Sequence, residues 1–587
     1  MNGLSINERE VLLALFKKSF INQKILSKEA GLSVRSVGAV LKSLKTGGCI
    51  TGEGNAPTKK AEALIKKSSP RSAVILAAGF SRRMVPINIE VPKAMVEIYG
   101  EPLIERQIKQ LHEVGIRDIY VVVGFMKEKF EYLIDEYSVK LIVNREYFTK
   151  NNLHSLKLIL PGLQNVYIVP ADNRCAENPF SEYELYSWYM VTDEKRKSDV
   201  VIYNKRSLRR TKRNQNGNAM IGISYLCGKE LEKVKNNLLK LSMDTAYDNS
   251  YWEEALYHAD EMIVYGRIFP GKNVKEINTA EDVRNIDDKS SSLENKVFFI
   301  IADTLKCNTS DIGDIEVLKK GMTNRSFLFS VPGGRYVMRI PGEGTDKLIN
   351  RSEEAKVYKL IRNKNVCVDP VYVNEENGYM ISKFISNARN CDPLNEDDLK
   401  LCMKKLRQFH RLNLKSDSSF DIFSKIQFYE DLCGGSASIY KDYKSTKENV
   451  MRLKSYIEGQ KKNICLTHID AVHDNFILHT DLRGRLHVSL IDWEYSAMQD
   501  PHVDIAMFCI YALYDKDRTD RLIDIYFGNR CSERTRIKIY CYIAACGLLW
   551  SNWCEYKFKF GYEFGEYSIM QYHYAKEYYK YAEKYLD

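Results

Sequence analysis

The spacing of hydrophobic and polar positions changes along this chain, and each change predicts a different architecture. Over residues 6–50 apolar residues recur at helical spacing with short breaks. "NEREVLLALFKK" sets Val11, Leu12, Leu15 and Phe16 on one face. "NQKILSKEAGLSVRSVGAVLKSLKTGGCI" predicts a short helix, a turn at Gly31, Ser33 as N-cap and a second helix ending at Gly47-Gly48. The polar, basic "KKSSPRS", Lys66 to Ser72, reads as a linker. Beyond it "AVILAAG" is a continuous apolar run suited to a buried parallel strand. "PLIERQIKQLHEVG" reads as a helix and "IRDIYVVVGF" as the next strand, and the alternation continues through "VKLIVN" and "NVYIVPADN". That is the pattern of a doubly wound α/β sheet. A second break falls at "NIDDKSSSLENK", near residue 290. After it, short β-like pieces (Ile315 to Leu318, Ser326 to Val331, Tyr336 to Ile340) give way to a mostly helical stretch from about residue 395.

Length agrees with this partition. A chain of 587 residues is too long for one core, and the breaks divide it into 1–70, 71–290 and 291–587. At 44% hydrophobic and 28% charged residues, a sizeable core is available. The start, "MNGLSINERE", lacks a signal-peptide pattern, and the longest apolar runs, "IYVVVGF" and "YIAACGLLW", are far too short to span a bilayer, so a cytoplasmic location is expected. The 14 cysteines include no C-x-x-C pair, which argues for reduced core thiols rather than disulfides or a zinc site. Net charge is +10, but residues 1–70 hold 12 Lys/Arg against 5 Asp/Glu, an excess of +7 that leaves +3 for the other 517 residues. The basic bias therefore belongs to the N-terminus.

The N-terminal pattern resembles a winged helix-turn-helix over about 65 residues, with Ser33 to Leu44 in the recognition-helix position and a short wing at "ITGEGNAPT". The resemblance implies DNA binding through the basic face of that helix, or a regulatory or docking domain that keeps the fold without using DNA.

In "ILAAGFSRRMVPINIEVPKAM" a buried strand runs into small residues, then cations. Ala78, Gly79 and Ser81 let backbone N–H groups approach a triphosphate, and Arg83 and Lys93 neutralise it. The stretch resembles the sugar-phosphate and phosphocholine nucleotidyltransferases, whose pattern is L-A-A-G-x-G-[ST]-R followed by P-K. Ser81 and Arg82 depart from it, standing where the family usually has Gly and a small hydroxyl residue. The match makes Arg83 and Lys93 the phosphate-clamping and catalytic cations. "NREYFTKNNLHSLKLIL" is similar to the phosphocholine cytidylyltransferase branch, which implies that Asn151, Asn152 and Ser155 lie near the nucleotide base or ribose. Asp172 in "VPADN" ends a strand and is the expected Mg²⁺ ligand, with Asn278 of "KEINTAED" as the second contact. "SYWEE" resembles the family's Tyr-Trp-acid stretch: Tyr251, Trp252, Glu253 and Glu254 suit a quaternary ammonium, unless the aromatics are simply buried at a helix start.

"THIDAVHDN", Thr467 to Asn475, admits a zinc reading, but no third His or Cys stands at a suitable spacing. His468, Asp470 and Asn475 instead keep the kinase spacing H-x-D-x-x-x-x-N, in which the Asp orients or deprotonates the acceptor hydroxyl and the Asn binds Mg²⁺. "LIDWEY" follows with Asp492 as the metal-binding Asp, and Asp474 is a solvated or loop-bracing carboxylate. His473 and "DPHVDIAMF" resemble the aminoglycoside and choline kinase superfamily, with Asp504 bracing the catalytic loop. The resemblance places Gly321, Thr323 and Asn324 in the phosphate-covering turn and Arg339 in the position of the strand lysine of protein kinases. Glu353 or Glu354 is its helix partner, and "YMISKFI" is the adenine hinge. Trp550 and Trp553 share a helical face, followed by Phe564 and Tyr567; they form either a core seam or, by resemblance to choline kinases, an aromatic cage for choline.

The expected fold is multidomain α/β and α+β: a winged helix, a doubly wound Rossmann-like nucleotidyltransferase and a bilobal protein-kinase-like domain. The expected function is CDP-choline synthesis, from choline and ATP to phosphocholine and then with CTP to CDP-choline, with Mg²⁺ at both sites. The product would serve phosphocholine decoration of surface polymers or lipid synthesis. The alternatives are a choline-responsive transcriptional regulator, or the same chemistry on ethanolamine or a sugar alcohol. The oligomeric state is open, a dimer being one option.

Overall fold

The computed structural model describes residues 3–17, 22–198, 200–203, 206–212, 215–318, 324–342, 349–434, 438–480, 484–559 and 564–586. The chain divides into two compact units, Met1–Phe299 and Ile300–Asp587.

Four helices open the first unit: α1 (Ile6–Lys17), α2 (Gln23–Ala30), α3 (Val34–Thr46) and α4 (Lys59–Ser68). The turn chemistry acts as its spacing predicts. Gly31 ends α2 at φ +63°, and Ser33 caps α3 by accepting the Ser36 N–H at 3.1 Å. Ile50 and Pro57 form an isolated bridge after α3. Val11, Leu12 and Leu15 are buried, and they join the same apolar cluster as one face of the sheet that follows.

The stretch read as a linker is instead bolted down. α4 continues through Ser68, which is fully buried, and Asn165 Nδ2 donates to the Lys67 and Ser69 carbonyls at 2.8 and 3.0 Å. The Tyr225 hydroxyl donates to the Ser68 carbonyl, and the Arg71 N–H to the Asn165 carbonyl at 2.8 Å. A polar stretch behaves as a linker only while no distant partner meets its backbone groups. Here Asn165 and Tyr225 do.

The sheet begins with β1 (Ser72–Leu76), crosses over through α5 (Leu103–Glu113) to β2 (Asp118–Val123) and β3 (Lys140–Val143), and returns through α6 (Asn152–Lys157) to β4 (Val166–Pro170). These four strands are parallel in the order β3-β2-β1-β4. β1 is buried on both faces: Ala73 and Ile75 enter one cluster, Val74 and Leu76 the other. The strand order reverses between β1 and β4, so the loops after them, at 77–81 and 171–172, meet at a topological switch point. Past β4 the pairing turns mostly antiparallel, Asn216–Leu226 lying against β4 and Trp188–Lys197. The doubly wound expectation thus describes four of the sheet's ten strands; the links between residues 197 and 216 are hairpin-length, too short for helical crossovers.

The second unit carries a five-stranded antiparallel sheet in the order Gly313–Val317, β5 (Asn324–Val331), β6 (Gly334–Pro341), β7 (Met380–Lys383), Tyr372–Val373. α7 (Arg351–Ile361) lies between β6 and β7 in the chain. The rest is mainly helical, including α8 (His502–Tyr511), α9 (Glu533–Phe558) and α10 (Glu566–Glu583). Two small ladders interrupt it, Cys465–Thr467 with Ala497–Gln499 and Phe476–Thr480 with Leu486–Leu490, and they frame the loops bearing Asp470 and Asp492. No helix among the described residues is long and apolar enough to cross a membrane.

Candidate active sites

In the first unit, β1 delivers the chain to Ala77–Ser81. The Ala78 carbonyl accepts the Phe125 N–H at 3.1 Å, and Ser81 takes φ +51°. Ser81 therefore adopts the left-handed conformation that glycine favours at the position where the sequence departs from the nucleotidyltransferase pattern it resembles. Buried Asn88, which the sequence reading missed, pins this turn by donating to the Phe80 and Ser81 carbonyls at 3.0 and 3.1 Å.

Four predicted residues converge beside it. Lys93 Nζ lies 2.7 Å from Asp172 Oδ2 and donates to Asn278 Oδ1 at 2.8 Å, while Arg83 Nη2 donates to the same Asn278 oxygen at 2.9 Å. Asp172 follows β4. Asn278 is oriented by the capping box of the next helix, Asp282 accepting its backbone N–H at 2.9 Å. One carboxylate and one amide oxygen on a shared cation form a hard-oxygen set that fits Mg²⁺ sharing its shell with water and phosphate.

The acid-aromatic segment lies next to this centre, with its parts distributed differently from a simple cage. Tyr251 is 62% exposed, whereas Trp252 is fully buried with its ring centroid 6.1 Å from Tyr189. Glu253 Oε1 accepts the Tyr189 hydroxyl at 3.1 Å, and its Oε2 is buried without a hydrogen-bond partner among the described residues. Burial, reinforced by the charge of Asp172, pushes the Glu253 carboxyl up to about 7. Gly222, at φ +84°, clears the space: a Cβ there would stand 2.4 Å from Pro170 and 3.6 Å from Glu253 Oε1. Glu254 turns to Arg210 (2.7 Å), whose guanidinium lies 3.7 Å over the Tyr257 ring. Asn151 and Asn152 contact the backbone of 249–252, and Ser155 Oγ accepts from Asn144 Nδ2 at 2.9 Å.

In the second unit the loop bearing Asp470 is suspended from Asp504. Its two carboxylate oxygens accept the His468 and Ile469 N–H groups at 3.0 and 2.7 Å, and His410 Nε2 lies 2.9 Å away. Ile469 and Asp492 adopt φ +70° and +67°, backbone strain at both functional loops. Asn475 Nδ2 donates to Asp470 Oδ2 at 3.0 Å, and burial with the Glu494 charge pushes Asp470 up to about 7. His468 bonds the Ile491 carbonyl at 3.0 Å and burial lowers it to about 4, so it is a neutral strut between the two loops. Asp474 braces the loop: Tyr511 donates to it at 3.2 Å and Asn390 at 3.1 Å.

Arg339 on β6 lies 2.6 Å from Glu354 and 3.3 Å from Asp492. The helix partner is therefore Glu354; Glu353 pairs with Lys356 at 2.6 Å. Buried Arg351 bridges Glu354 and Glu494 at 3.0 and 3.1 Å, and Asn324 donates to Glu494 at 2.8 Å. Gly321 and Thr323 lie outside the described residues. One oxygen each of Glu354, Asp492 and Glu494 falls within 4.8 Å of the others, an acidic set of hard oxygens that suits a divalent ion. Glu494 and Arg351 escaped the sequence reading, although Glu494 stands only two residues after Asp492.

Trp550, Trp553, Phe564 and Tyr567 come together in sequence: successive ring centroids are 5.4, 5.2 and 6.5 Å apart. Tyr495 stands edge-on to Trp550 at 5.7 Å, and Tyr511 contacts Tyr567 at 5.7 Å, so two aromatics from the catalytic side join the set. The Asp470 charge helps raise the hydroxyls of both Tyr495 and Tyr567, so two rings of the group lie within electrostatic reach of Asp470.

Residues 315–541 match the family model for choline/ethanolamine kinase, and residues 73–223 that for the MobA-like NTP transferase domain. The chain is 31% identical over 231 residues to choline-phosphate cytidylyltransferase of Streptococcus pneumoniae, covering 37% of this chain and 96% of that one. It is 26% identical over 264 residues to protein LicA of Haemophilus influenzae, covering 42% and 75% respectively. Among solved structures, choline kinase LicA from Streptococcus pneumoniae aligns at 27% identity over 49% of this chain and all of that one, with a TM-score of 0.42.

Proposed function

We propose a two-step synthesis of CDP-choline, starting from the premise that this chain belongs to the choline-phosphate cytidylyltransferase family. The chain is a bifunctional enzyme, with a kinase and a nucleotidyltransferase in one polypeptide. ATP and CTP are its nucleotide substrates. The observation that supports the reading is that each group of phosphate-handling residues has a group suited to an organic cation near it: Glu253, under the charge of Asp172, in one, and six aromatic rings, two of them within electrostatic reach of Asp470, in the other.

In the kinase step Asp470 orients the choline hydroxyl and takes its proton as the oxygen bonds to the γ-phosphorus of ATP and ADP leaves. Arg339, held by Glu354, supplies positive charge to the nucleotide phosphates. In the transfer step a phosphate oxygen of phosphocholine attacks the α-phosphorus of CTP and pyrophosphate leaves, with Arg83 and Lys93 neutralising the charge that develops. Asp172 with Asn278, and Asn475 with Asp492, are the residues that would hold Mg²⁺, which supplies charge neutralisation and phosphate alignment. The aromatic rings stabilise a trimethylammonium by cation–π attraction worth about 0.5–2 kcal/mol per contact, which favours choline over a sugar alcohol. The partition at 70 and 290 and the winged-helix reading of residues 1–70 belong to the same proposal. α3 exposes Arg35, Lys42 and Lys45 and contains no acidic residue, which supports DNA as a partner. Mass spectrometry of products from ATP, CTP and a panel of amino alcohols tests the main reading: CDP-choline should dominate, and a preference for ethanolamine or a sugar alcohol would replace it.

A further inference from the structure

The pair Asn151–Asn152 is engaged with the segment that carries Glu253. Asn152 Oδ1 accepts the backbone N–H of Trp252 at 2.8 Å. The Asn151 N–H donates to the Asp248 carbonyl at 2.7 Å, and Asn151 Nδ2 to the Asn249 carbonyl at 3.0 Å. One turn on, buried His154 stands 3.3 Å from the Asp248 carboxylate. The start of α6 thus grips residues 248–252 by side chain and backbone together.

The contact at Trp252 has a definite structural purpose. Trp252–Leu256 is a single 3₁₀ stretch whose cap residue, Tyr251, makes no side-chain capping bond. The first N–H groups of such a turn have no partner within it. Asn152, a hundred residues earlier, caps the turn from another element. The next residue is Glu253, whose carboxylate lies against Tyr189 and beside the switch-point carboxylate Asp172. Glu254 pairs instead with Arg210 at 2.7 Å, so the two adjacent acids have separate partners.

We propose that Asn152 is a positioning residue of cytidylyl transfer: it fixes the place of Glu253, and through it the affinity for the cationic head of the acceptor, without touching the nucleotide. The inference rests on the reading of this unit as a cytidylyltransferase acting on a phosphorylated cation. It assigns Asn152 a role different from the base or ribose contact that the sequence resemblance implies.

Steady-state kinetics of the full chain separate the two roles. Asn152→Ala removes the accepting oxygen and should raise the KM for phosphocholine about tenfold, the scale of one lost hydrogen bond, while the KM for CTP stays within about twofold. Asn152→Asp keeps an accepting oxygen and loses the amide N–H, so it should retain a near-native KM for both substrates. A raised KM for CTP in either variant, or an unchanged KM for phosphocholine in Asn152→Ala, overturns the inference. If the alanine protein does not fold, Asn152→Asp decides alone, because a base contact made through the amide N–H would be lost in it and the KM for CTP would rise. Failure of the wild-type chain to form a CDP-linked product from phosphocholine is seen before any variant is made; it would overturn the underlying reading, and this inference with it.

Discussion

Glu353 and Glu354 are adjacent, identical and equally placed on paper, yet only one can face β6. Glu354 is buried against two arginines, and Glu353 stays at the surface with Lys356. Breaking a buried pair by removing one partner costs about 3–5 kcal/mol because the other charge is left uncompensated. Glu354→Gln should therefore lower kinase kcat/KM for ATP on the order of a hundredfold, with Glu353→Gln within about twofold; equal effects would show that α7 presents its other acid. Glu253 carries the second prediction at this scale. Its carboxyl is raised to about 7, so it is largely neutral below that pH and ionised above it. Attraction for a cationic acceptor must grow as pH rises through 7, and the KM for phosphocholine should fall about tenfold from pH 6 to pH 8. The acceptor's own phosphate also titrates in this range, so the comparison is with Glu253→Gln, where the carboxyl's share of the step should vanish.

At the level of the element, α9 and the segment after it show how far periodicity reaches. Spacing of three put Trp550 and Trp553 on one face, and the structure brings them into one aromatic group with Phe564 and Tyr567. Spacing could not supply Tyr495 or Tyr511, which arrive from other elements. Trp553→Ala should raise the KM for choline at least about tenfold, the combined effect of cation–π loss and a vacated pocket wall, with the KM for ATP unchanged; an unaltered KM for choline would reduce the group to core packing. In the first unit the same limit appears as Trp252. The sequence offers it as a pocket aromatic or as a ring buried at a helix start; its indole is wholly buried, and Tyr189 supplies the polar contact to Glu253.

Taken as a whole molecule, the two candidate sites lie in separate compact units, so their losses should be independent. Asp172→Asn should abolish CDP-choline formation while choline phosphorylation persists, and Asp470→Asn the reverse. Mixed together, the two variants should convert choline, ATP and CTP into CDP-choline, because phosphocholine released by one chain can reach the other; no product from the mixture would mean that the intermediate must pass within a chain. What the sequence by itself determined was whatever local chemistry sets: the caps of α2 and α3, the buried run of β1, the loops bearing Arg83, Asp470 and Asp492, and the two-unit chemistry written in their spacing. Only the tertiary structure decided matters that depend on residues far apart in the chain. It closed Lys93 and Arg83 onto Asn278, chose Glu354 over Glu353, brought Glu494 and Arg351 into the acidic set, and turned the polar stretch at Lys66 to Ser72 into a docked segment. The reason is physical: periodicity and capping act within a few residues, whereas a buried polar group is stable only where a distant partner meets it, and that partner has no position until the chain has folded.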